Sequence, residues 1–245
     1  MTRLLIVGAT SAIAHEVARN YARDKAEIYL LARNTSAMEA NAADLRVRGA
    51  QAVATESLDA RDVTRHAEVL ERAWQTFSGF DVVLLAYGTL PDEQACRSSV
   101  QATIEAFEVN ATSVIAFMAA IAQRLEAAGD GVLAVITSPA GERGRASNYT
   151  YGAAKAAVAA YASGLRHRLH VKGVRVLTIV PGFVDTPMTA SFPKSALWSH
   201  PERVGTDIRQ ALDGGFGVIY TPWYWRWIMA LIRIVPERLF VKTRL

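Results

Sequence analysis

Short apolar runs alternate with amphipathic stretches along most of the chain. The runs are rich in Val, Ile, Leu and Ala at successive positions, and Gly, Asp or Asn bounds many of them. Such runs are typical of strands that are buried on both faces of a parallel sheet. The predicted strands span residues 4–7, 27–32, 50–56, 82–86, 131–136, 174–180 and 217–220.

Helical patterns lie between these strands, at residues 15–23, 36–48, 62–77, 100–125, 149–168 and 202–212. Alternating strands and helices form right-handed βαβ units. We therefore predict a single α/β domain with a Rossmann-type doubly wound parallel sheet of about seven strands and helices on both faces. This domain spans residues 1–221, and a helical aromatic and basic tail spans 222–245. Residues 187–201 lack a regular pattern and are interpreted as a mobile lid.

Composition limits the class of protein. A chain of 245 residues with 51% hydrophobic residues can bury one large core, and a net charge of +4 does not indicate a nucleic-acid partner. The single cysteine, Cys96, excludes an internal disulfide and fits a reducing compartment. No signal-peptide pattern and no membrane-spanning run is recognised, so the prediction is a cytoplasmic protein. No metal site is predicted.

The stretch from Ser138 to Lys155 carries the most specific chemistry. Ser138 follows the predicted strand 131–136, at the sheet edge where ligands of open α/β sheets bind. Tyr151 and Lys155 are four residues apart on a helix and so share one face. A nearby ammonium lowers the pKa of a phenol. Such a tyrosine can protonate an alkoxide as hydride reaches a carbonyl, while a serine hydroxyl holds the same oxygen.

The N-terminus has the strand, tight turn and helix of a dinucleotide site. Gly8 begins the turn, and the following helix N-terminus would face a pyrophosphate. Ala12 and Ala14 occupy the places of the other two glycines of that motif, where a methyl group would crowd the phosphate. On this turn alone, no cofactor is assigned.

Residues at later strand ends extend the candidate site. Arg33 ends the second strand with no acid between residues 28 and 38, which favours a 2′-phosphate and hence NADP; the alternative is a solvated arginine. Asp59 could meet adenine or cap a helix. Gly88 lets the chain approach a nucleotide closely. Asn110 is polar among apolar neighbours, either as a hydrogen-bonded core amide or as a functional group.

Together these residues resemble the short-chain dehydrogenase/reductase family over nearly the whole chain. Asn110, Ser138, Tyr151 and Lys155 match its catalytic tetrad in order and spacing. The turn at residues 8–14 matches its glycine motif with two substitutions. Pro181, Gly182 and Thr186 match its nicotinamide-side motif. Residues 85–88, Leu-Ala-Tyr-Gly, depart from the family's Asn-Asn-Ala-Gly.

The resemblance implies roles for these residues. Tyr151 would be the acid/base, Lys155 would bind the nicotinamide ribose and tune Tyr151, and Ser138 would orient the carbonyl. Asn110 would hold a water that relays protons to Lys155, and Arg33 would bind the 2′-phosphate. The implied NAD(P)-binding residues are Gly8, Thr10, Ser11, Ile13, Arg33, Asp59, Gly88, Asn110, Tyr151, Lys155, Pro181, Gly182, Val184 and Thr186. NADP(H) is expected in preference to NAD(H).

The tail has two open interpretations. Three tryptophans lie close to Arg226 and Arg233, which suits a membrane interface through residues 222–241 at the inner face of the membrane. It equally suits a subunit interface of a homo-oligomer. The tail, the residue 8–11 turn and residues 86–88 resemble the subgroup that includes decaprenylphosphoryl-2-keto-pentose reductases. That resemblance implies a ketosugar on a polyprenyl phosphate as substrate.

The predicted function is NADPH-dependent reduction of a ketone to a secondary alcohol, on such a lipid-linked ketosugar or on another ketone. The first alternative is a reductase of a soluble ketone whose tail forms an oligomer interface. A non-catalytic NADP-sensing protein on the same fold is the second, because fold does not fix function. A membrane-surface scaffold is the third.

Overall fold

Seven parallel strands form one sheet at the centre of the protein. The structure is a computed structural model that describes residues 1–243. The strands are β1 Arg3–Val7, β2 Glu27–Ala32, β3 Ala52–Ser57, β4 Val82–Leu85, β5 Val132–Ile136, β6 Arg175–Pro181 and β7 Val218–Thr221. Their order is β3-β2-β1-β4-β5-β6-β7, and every neighbouring pair is parallel. The predicted doubly wound α/β fold is confirmed.

Helices cover both faces of the sheet and bury a separate apolar cluster on each. They are α1 Ala12–Arg23, α2 Thr35–Val47, α3 His66–Phe77, α4 Glu93–Ser98, α5 Val100–Phe107, α6 Ser113–Ala128, α7 Tyr149–His170, α8 Pro201–Gly214, α9 Trp225–Ile234 and α10 Glu237–Phe240. The strand order reverses between β1 and β4. In open α/β sheets, ligands bind outside the carboxyl ends of the strands at such a reversal.

The long helix predicted at residues 100–125 is interrupted. A π-helical turn, Glu108–Thr112, separates α5 from α6 and places the fully buried Asn110 in the interior. Single π-turns of this kind are frequent at functional sites. The helical run Val100–Ala128 is also long and apolar enough to span a bilayer, so the expectation that no run reaches this length is wrong. Its α6 part belongs to the core, where residues such as Phe117 are completely buried.

The segment interpreted as a lid has one 3₁₀ turn, Pro187–Thr189, and its side chains are mostly exposed. A bridge between Val184 and Ser199 closes its base. Beyond β7, the tail folds back over the domain, and Trp225 and Met229 of α9 are buried. The last two residues of the predicted tail, 244 and 245, lie outside the described residues.

Candidate active site

A cavity of about 460 Å³ lies at the carboxyl edge of the sheet, where the strand order reverses. Its lining includes five of the predicted cofactor residues, namely Gly8, Thr10, Arg33, Asp59 and Gly88. Two other predicted cofactor residues, Ser11 and Ile13, have structural roles next to the cavity. The Ser11 hydroxyl caps α1 by accepting a hydrogen bond from the Ala14 amide at 3.4 Å, and Ile13 packs against the apolar core.

Gly8 brings the ends of β1 and β4 into direct contact. Its φ of +93° is rare for any other residue, and a Cβ there would lie 2.7 Å from the Tyr87 backbone nitrogen. Ala14 is fully buried inside α1 without such a clash, which explains how alanine replaces glycine at that place. The single glycine of the turn is therefore the one that the backbone requires.

Two arginines border the cavity near Asp59. Arg61 Nη2 lies 2.8 Å from Asp59 Oδ2, and this hydrogen bond lowers the pKa of Asp59. Arg33 is exposed and near enough to add to that effect. Arg61 was not predicted from the sequence, because it lies in a short turn after β3 that follows no motif. The pair supplies two guanidinium groups at one end of the cavity.

Ser138 and Tyr151 meet at the end of β5. Ser138 begins the turn after the strand, and its hydroxyl also accepts a hydrogen bond from the Ala140 amide at 3.2 Å. Tyr151 lies in the first turn of α7, near enough to Ser138 for that hydroxyl to affect the pKa of the phenol. Burial raises the pKa of Tyr151 to about 12, and the nearby Ser138 hydroxyl opposes this rise. The phenol is therefore protonated at neutral pH.

Lys155 lies one turn further along α7 and is buried. Its Nζ donates to the Ile136 carbonyl at 3.1 Å and lies 5.8 Å from the centre of the Tyr151 ring. Burial lowers the pKa of Lys155 to about 8. The sequence suggested that this ammonium lowers the pKa of Tyr151. In the structure the pKa of Tyr151 is raised instead, because desolvation of the phenol outweighs the other influences.

Asn110 joins the same group from the π-turn. Its Oδ1 accepts from the Thr89 amide at 2.9 Å, and its Nδ2 donates to the Ala106 carbonyl at 3.0 Å. A Cβ at Gly88 would lie 2.7 Å from Asn110 Oδ1 and 3.4 Å from Lys155 Nζ. The absence of a side chain at Gly88 thus lets both the amide and the ammonium lie against its backbone.

The predicted nicotinamide-side residues follow β6, next to the tail. The Gly182 amide donates to the Thr221 carbonyl at 3.0 Å, and Thr186 begins the 3₁₀ turn. Pro181 and Val184 are buried beside them. The indole of Trp225 covers Gly182, since a Cβ there would lie 1.8 Å from Nε1. These four residues do not line the described cavity.

A buried carboxylate fixes the start of α7, and the sequence did not reveal it. Glu93 of α4 accepts hydrogen bonds from the Thr150 amide at 3.1 Å and the Thr150 hydroxyl at 2.8 Å. A carboxylate at a helix N-terminus satisfies an otherwise unpaired N–H group and complements the helix dipole. Because Tyr151 is the next residue, Glu93 positions the phenol. No helix was predicted for this short polar segment.

The family model for short chain dehydrogenase matches residues 2–196. The chain belongs to this family. An uncharacterized oxidoreductase of Mycobacterium tuberculosis (strain ATCC 25618 / H37Rv), Rv2073c, is 34% identical over 234 residues, which cover 96% of this chain and 94% of that protein. An uncharacterized oxidoreductase of Streptomyces coelicolor, encoded in the mprA 5′ region, is 32% identical over 238 residues, or 97% and 94%.

Solved structures of other proteins have the same fold as this chain. Levodione reductase superposes with a TM-score of 0.82 at 19% identity, covering 89% of this chain and 95% of that chain. A variant actinorhodin polyketide ketoreductase with NADPH also gives 0.82, at 20% identity and coverage of 91% and 96%. The protein is accordingly an NAD(P)-dependent dehydrogenase/reductase. Among residues 1–243, no three His, Cys, Asp or Glu side chains are grouped to hold a metal ion.

Proposed function

We propose that the protein is an NADPH-dependent reductase that converts a ketone to a secondary alcohol. The observation that carries this proposal is that the hydroxyls of Ser138 and Tyr151 lie close together at the end of β5. Lys155 and Asn110 converge beside them at Gly88, which also lines the cavity. Neither hydroxyl lines that cavity, and Gly88 connects the cavity to this group of residues through its contacts with Asn110 and Lys155.

The residues present fit NADPH. Gly8 and Gly88 remove side chains where a backbone has to approach a dinucleotide, and the N-terminus of α1 follows the Gly8 turn. Arg33 and Arg61 would hold a 2′-phosphate at the outer end. When bound, the nicotinamide supplies hydride to the carbonyl carbon.

The chain's own residues would handle the proton. Tyr151 donates its hydroxyl proton to the carbonyl oxygen as negative charge develops there, and Ser138 donates a hydrogen bond to the same oxygen. A pKa of about 12 keeps Tyr151 protonated as a donor at neutral pH. Lys155 then returns a proton to the phenolate. Asn110 would hold a water molecule, and that water would relay a proton to Lys155.

The rate of reduction should fall as pH rises through about 8. The pKa of Lys155 is lowered, so its ammonium is lost at a pH well below the ordinary 10.5. Only the charged form can return a proton to the phenolate after hydride transfer, so kcat should drop about tenfold per pH unit above that point. A profile of kcat at saturating NADPH and ketone checks this, and a profile that stays flat up to pH 10.5 would contradict it.

Replacing Arg33 tests the preference for NADPH. Arg33→Asp should raise the Kd of NADPH about a hundredfold, because a charge-assisted hydrogen bond is lost and a repulsive charge is added. The Kd of NADH should change about twofold or less, since NADH has no 2′-phosphate. Fluorescence titration of both cofactors measures this, with the exposed Arg168→Asp on α7 as control. Equal losses for both cofactors would show that Arg33 does not read the phosphate.

The exposed face of α9 supports a membrane-linked substrate. Trp227, Leu231 and Ile234 of α9, with Trp223 just before it, are 64–75% exposed and recur every three or four residues along one face. Residues 222–243 carry four cations and one acid. Two copies joined through this face would bring like charges together. We therefore propose contact with an anionic bilayer at the inner membrane face, and a polyprenyl-phosphate-linked ketosugar as substrate.

Vesicle binding tests this contact. The protein should co-sediment with vesicles of phosphatidylserine and phosphatidylcholine more than with phosphatidylcholine alone. The double variant Trp227→Ser/Leu231→Ser should lose most of this binding, because two interfacial side chains are removed. Val47→Ser/Val171→Ser is the matched control, since both valines are exposed apolar residues, at the end of α2 and just after α7. A different result would identify a subunit interface instead. In that case the protein does not bind vesicles, and it forms an oligomer that the tail variant disrupts and the control variant does not.

A further inference from the structure

Unpaired polar atoms are buried in the loop of residues 139–148 and in α9, which contacts that loop. Five of them have no hydrogen-bond partner, namely Arg145 Nε, Asn148 Oδ1, Trp225 Nε1 and both carboxylate oxygens of Glu142. Buried polar groups in proteins are nearly always hydrogen-bonded, because an unpaired group loses its hydrogen bonds to water and gains none within the protein. Five such atoms in two segments that contact each other indicate groups whose hydrogen bonds a ligand would complete.

Charged residues of the same loop are also incompletely paired. Arg145 directs Nη2 to the Met229 sulfur at 3.7 Å, a weak acceptor, and burial lowers the pKa of Arg145. The Glu142 carboxylate opposes that shift. Glu142 Oε2 lies 3.5 Å from Arg233 Nε of α9. We refer to Glu142, Arg145, Asn148 and Trp225 as the polar cluster.

The polar cluster is held against the catalytic turn of α7. A Cβ at Gly141 would lie 2.9 Å from the Ala156 nitrogen, and a Cβ at Gly152 would lie 2.6 Å from the Ala140 carbonyl oxygen. The loop therefore packs backbone to backbone on the helix that carries Tyr151. On its other side, Arg143 donates to the Val235 carbonyl at 2.7 Å, which fixes the loop to the end of α9.

Trp225 links the cluster to the cofactor side. Its side chain is 4% exposed, and its indole covers Gly182 and meets the ring of Phe183 edge-on at 5.2 Å. A ketone whose oxygen lies at Ser138 and Tyr151 would extend from that point along the loop toward α9. The polar cluster is therefore placed to contact the substituents of the ketone rather than its carbonyl group.

We propose that the polar cluster is a substrate-binding site that recognises the hydroxyl groups of a polyhydroxylated ketone. Arg145 and Trp225 can only donate hydrogen bonds, whereas the unpaired Asn148 oxygen and the Glu142 carboxylate accept them. A hydroxyl does both, so a row of hydroxyls matches this mixed set. An apolar ketone leaves the atoms unpaired, and a phosphate alone meets the Glu142 charge. The proposal rests on the proposed ketone reduction and adds the residues that recognise the hydroxyl groups of the ketone.

Binding to a catalytically silenced complex tests the site without turnover. The Tyr151→Phe protein is loaded with NADPH and titrated by calorimetry with D-ribulose, with 2-pentanone and with a prenyl-phosphate ester of a 2-ketopentose. D-ribulose should bind at least about tenfold more tightly than 2-pentanone, because only its hydroxyls pair with the cluster. Tighter binding of the ester than of D-ribulose identifies a lipid-linked source, and equal binding identifies a free ketose.

Variants then assign the effect to the cluster. Arg145→Met and Asn148→Ala should each weaken D-ribulose binding about tenfold or more and leave the affinities for 2-pentanone and NADPH unchanged. Arg168→Met, an exposed arginine at the far end of α7, is the control for Arg145→Met. Equal affinity for D-ribulose and 2-pentanone, no D-ribulose binding, or unchanged binding in both cluster variants would overturn the proposal.

Turnover by the wild-type protein separates this proposal from the proposed function. If D-ribulose binds as expected while no ketone is reduced with NADPH, the cluster stands as a polyol site and ketone reduction fails. If both ketones are reduced at similar kcat/KM and bind alike, ketone reduction stands and the polyol site fails.

Discussion

Tyr151→Phe is expected to lower kcat/KM for ketone reduction between about a hundredfold and ten-thousandfold. The substitution removes the one hydroxyl that can donate a proton to the carbonyl oxygen, and it leaves the ring packing in place. The free energy of unfolding and the Kd of NADPH should change little. Steady-state NADPH oxidation and fluorescence titration measure both effects on the same preparation.

The chain offers a matched control two residues earlier on α7. Tyr149 is exposed, and Tyr149→Phe should leave kcat/KM within about twofold, as for most surface substitutions. If Tyr151→Phe keeps the wild-type rate, or if the protein's function in cells survives it, the assignment of Tyr151 as the proton donor is wrong. The non-catalytic NADP-sensing alternative would then gain support.

Gly182→Ala should be strongly disruptive although it adds a single methyl group. The new Cβ would lie 1.8 Å from Trp225 Nε1, so either the indole or the end of β6 has to move. Overpacking of this kind costs about 3 kcal/mol at the upper end of the usual range. Urea denaturation should therefore show a decrease of about 3 kcal/mol in the free energy of unfolding. Displacement of the indole should also release α9, so limited proteolysis should cut the tail more readily.

Two further variants isolate the contact. Gly144 lies in the neighbouring loop with nothing within 4 Å of its added Cβ, so Gly144→Ala should change stability by about 0.5 kcal/mol or less. Trp225→Ala alone should cost about 3–5 kcal/mol, and the double variant with Gly182→Ala should cost clearly less than the sum. Additive losses would contradict the packing of Trp225 on Gly182.

The fold could be predicted because each central strand is locally encoded. The apolar runs in β1, β4 and β5 have no polar residue to interrupt them, so their identity does not depend on distant contacts. Glycines and polar turns then mark their ends. β3 is half-buried and polar at Thr55 and Glu56, and its predicted start was two residues early.

The site was predictable where a residue type at a fixed spacing carries the chemistry. Ser138 and Tyr151 come together because a strand end and a helix start adjoin in a βαβ unit. The remaining parts depend on contacts between distant segments. Glu93 reaches Thr150 across 57 residues, and Trp225 reaches Gly182 only after the tail folds back. The direction of the Tyr151 pKa likewise depends on burial, which spacing does not reveal.

Deuterium transfer from labelled NADPH would test the central claim most directly. Purified protein is incubated in detergent with NADPH that carries deuterium at the transferable position, and with three ketones. These are a polyprenyl-phosphoryl 2-ketopentose, D-ribulose and 2-pentanone. The account predicts a secondary alcohol with deuterium on the carbinol carbon from at least one ketose substrate, and none with Tyr151→Phe. Tight NADPH binding without deuterium transfer to any of these ketones would contradict it.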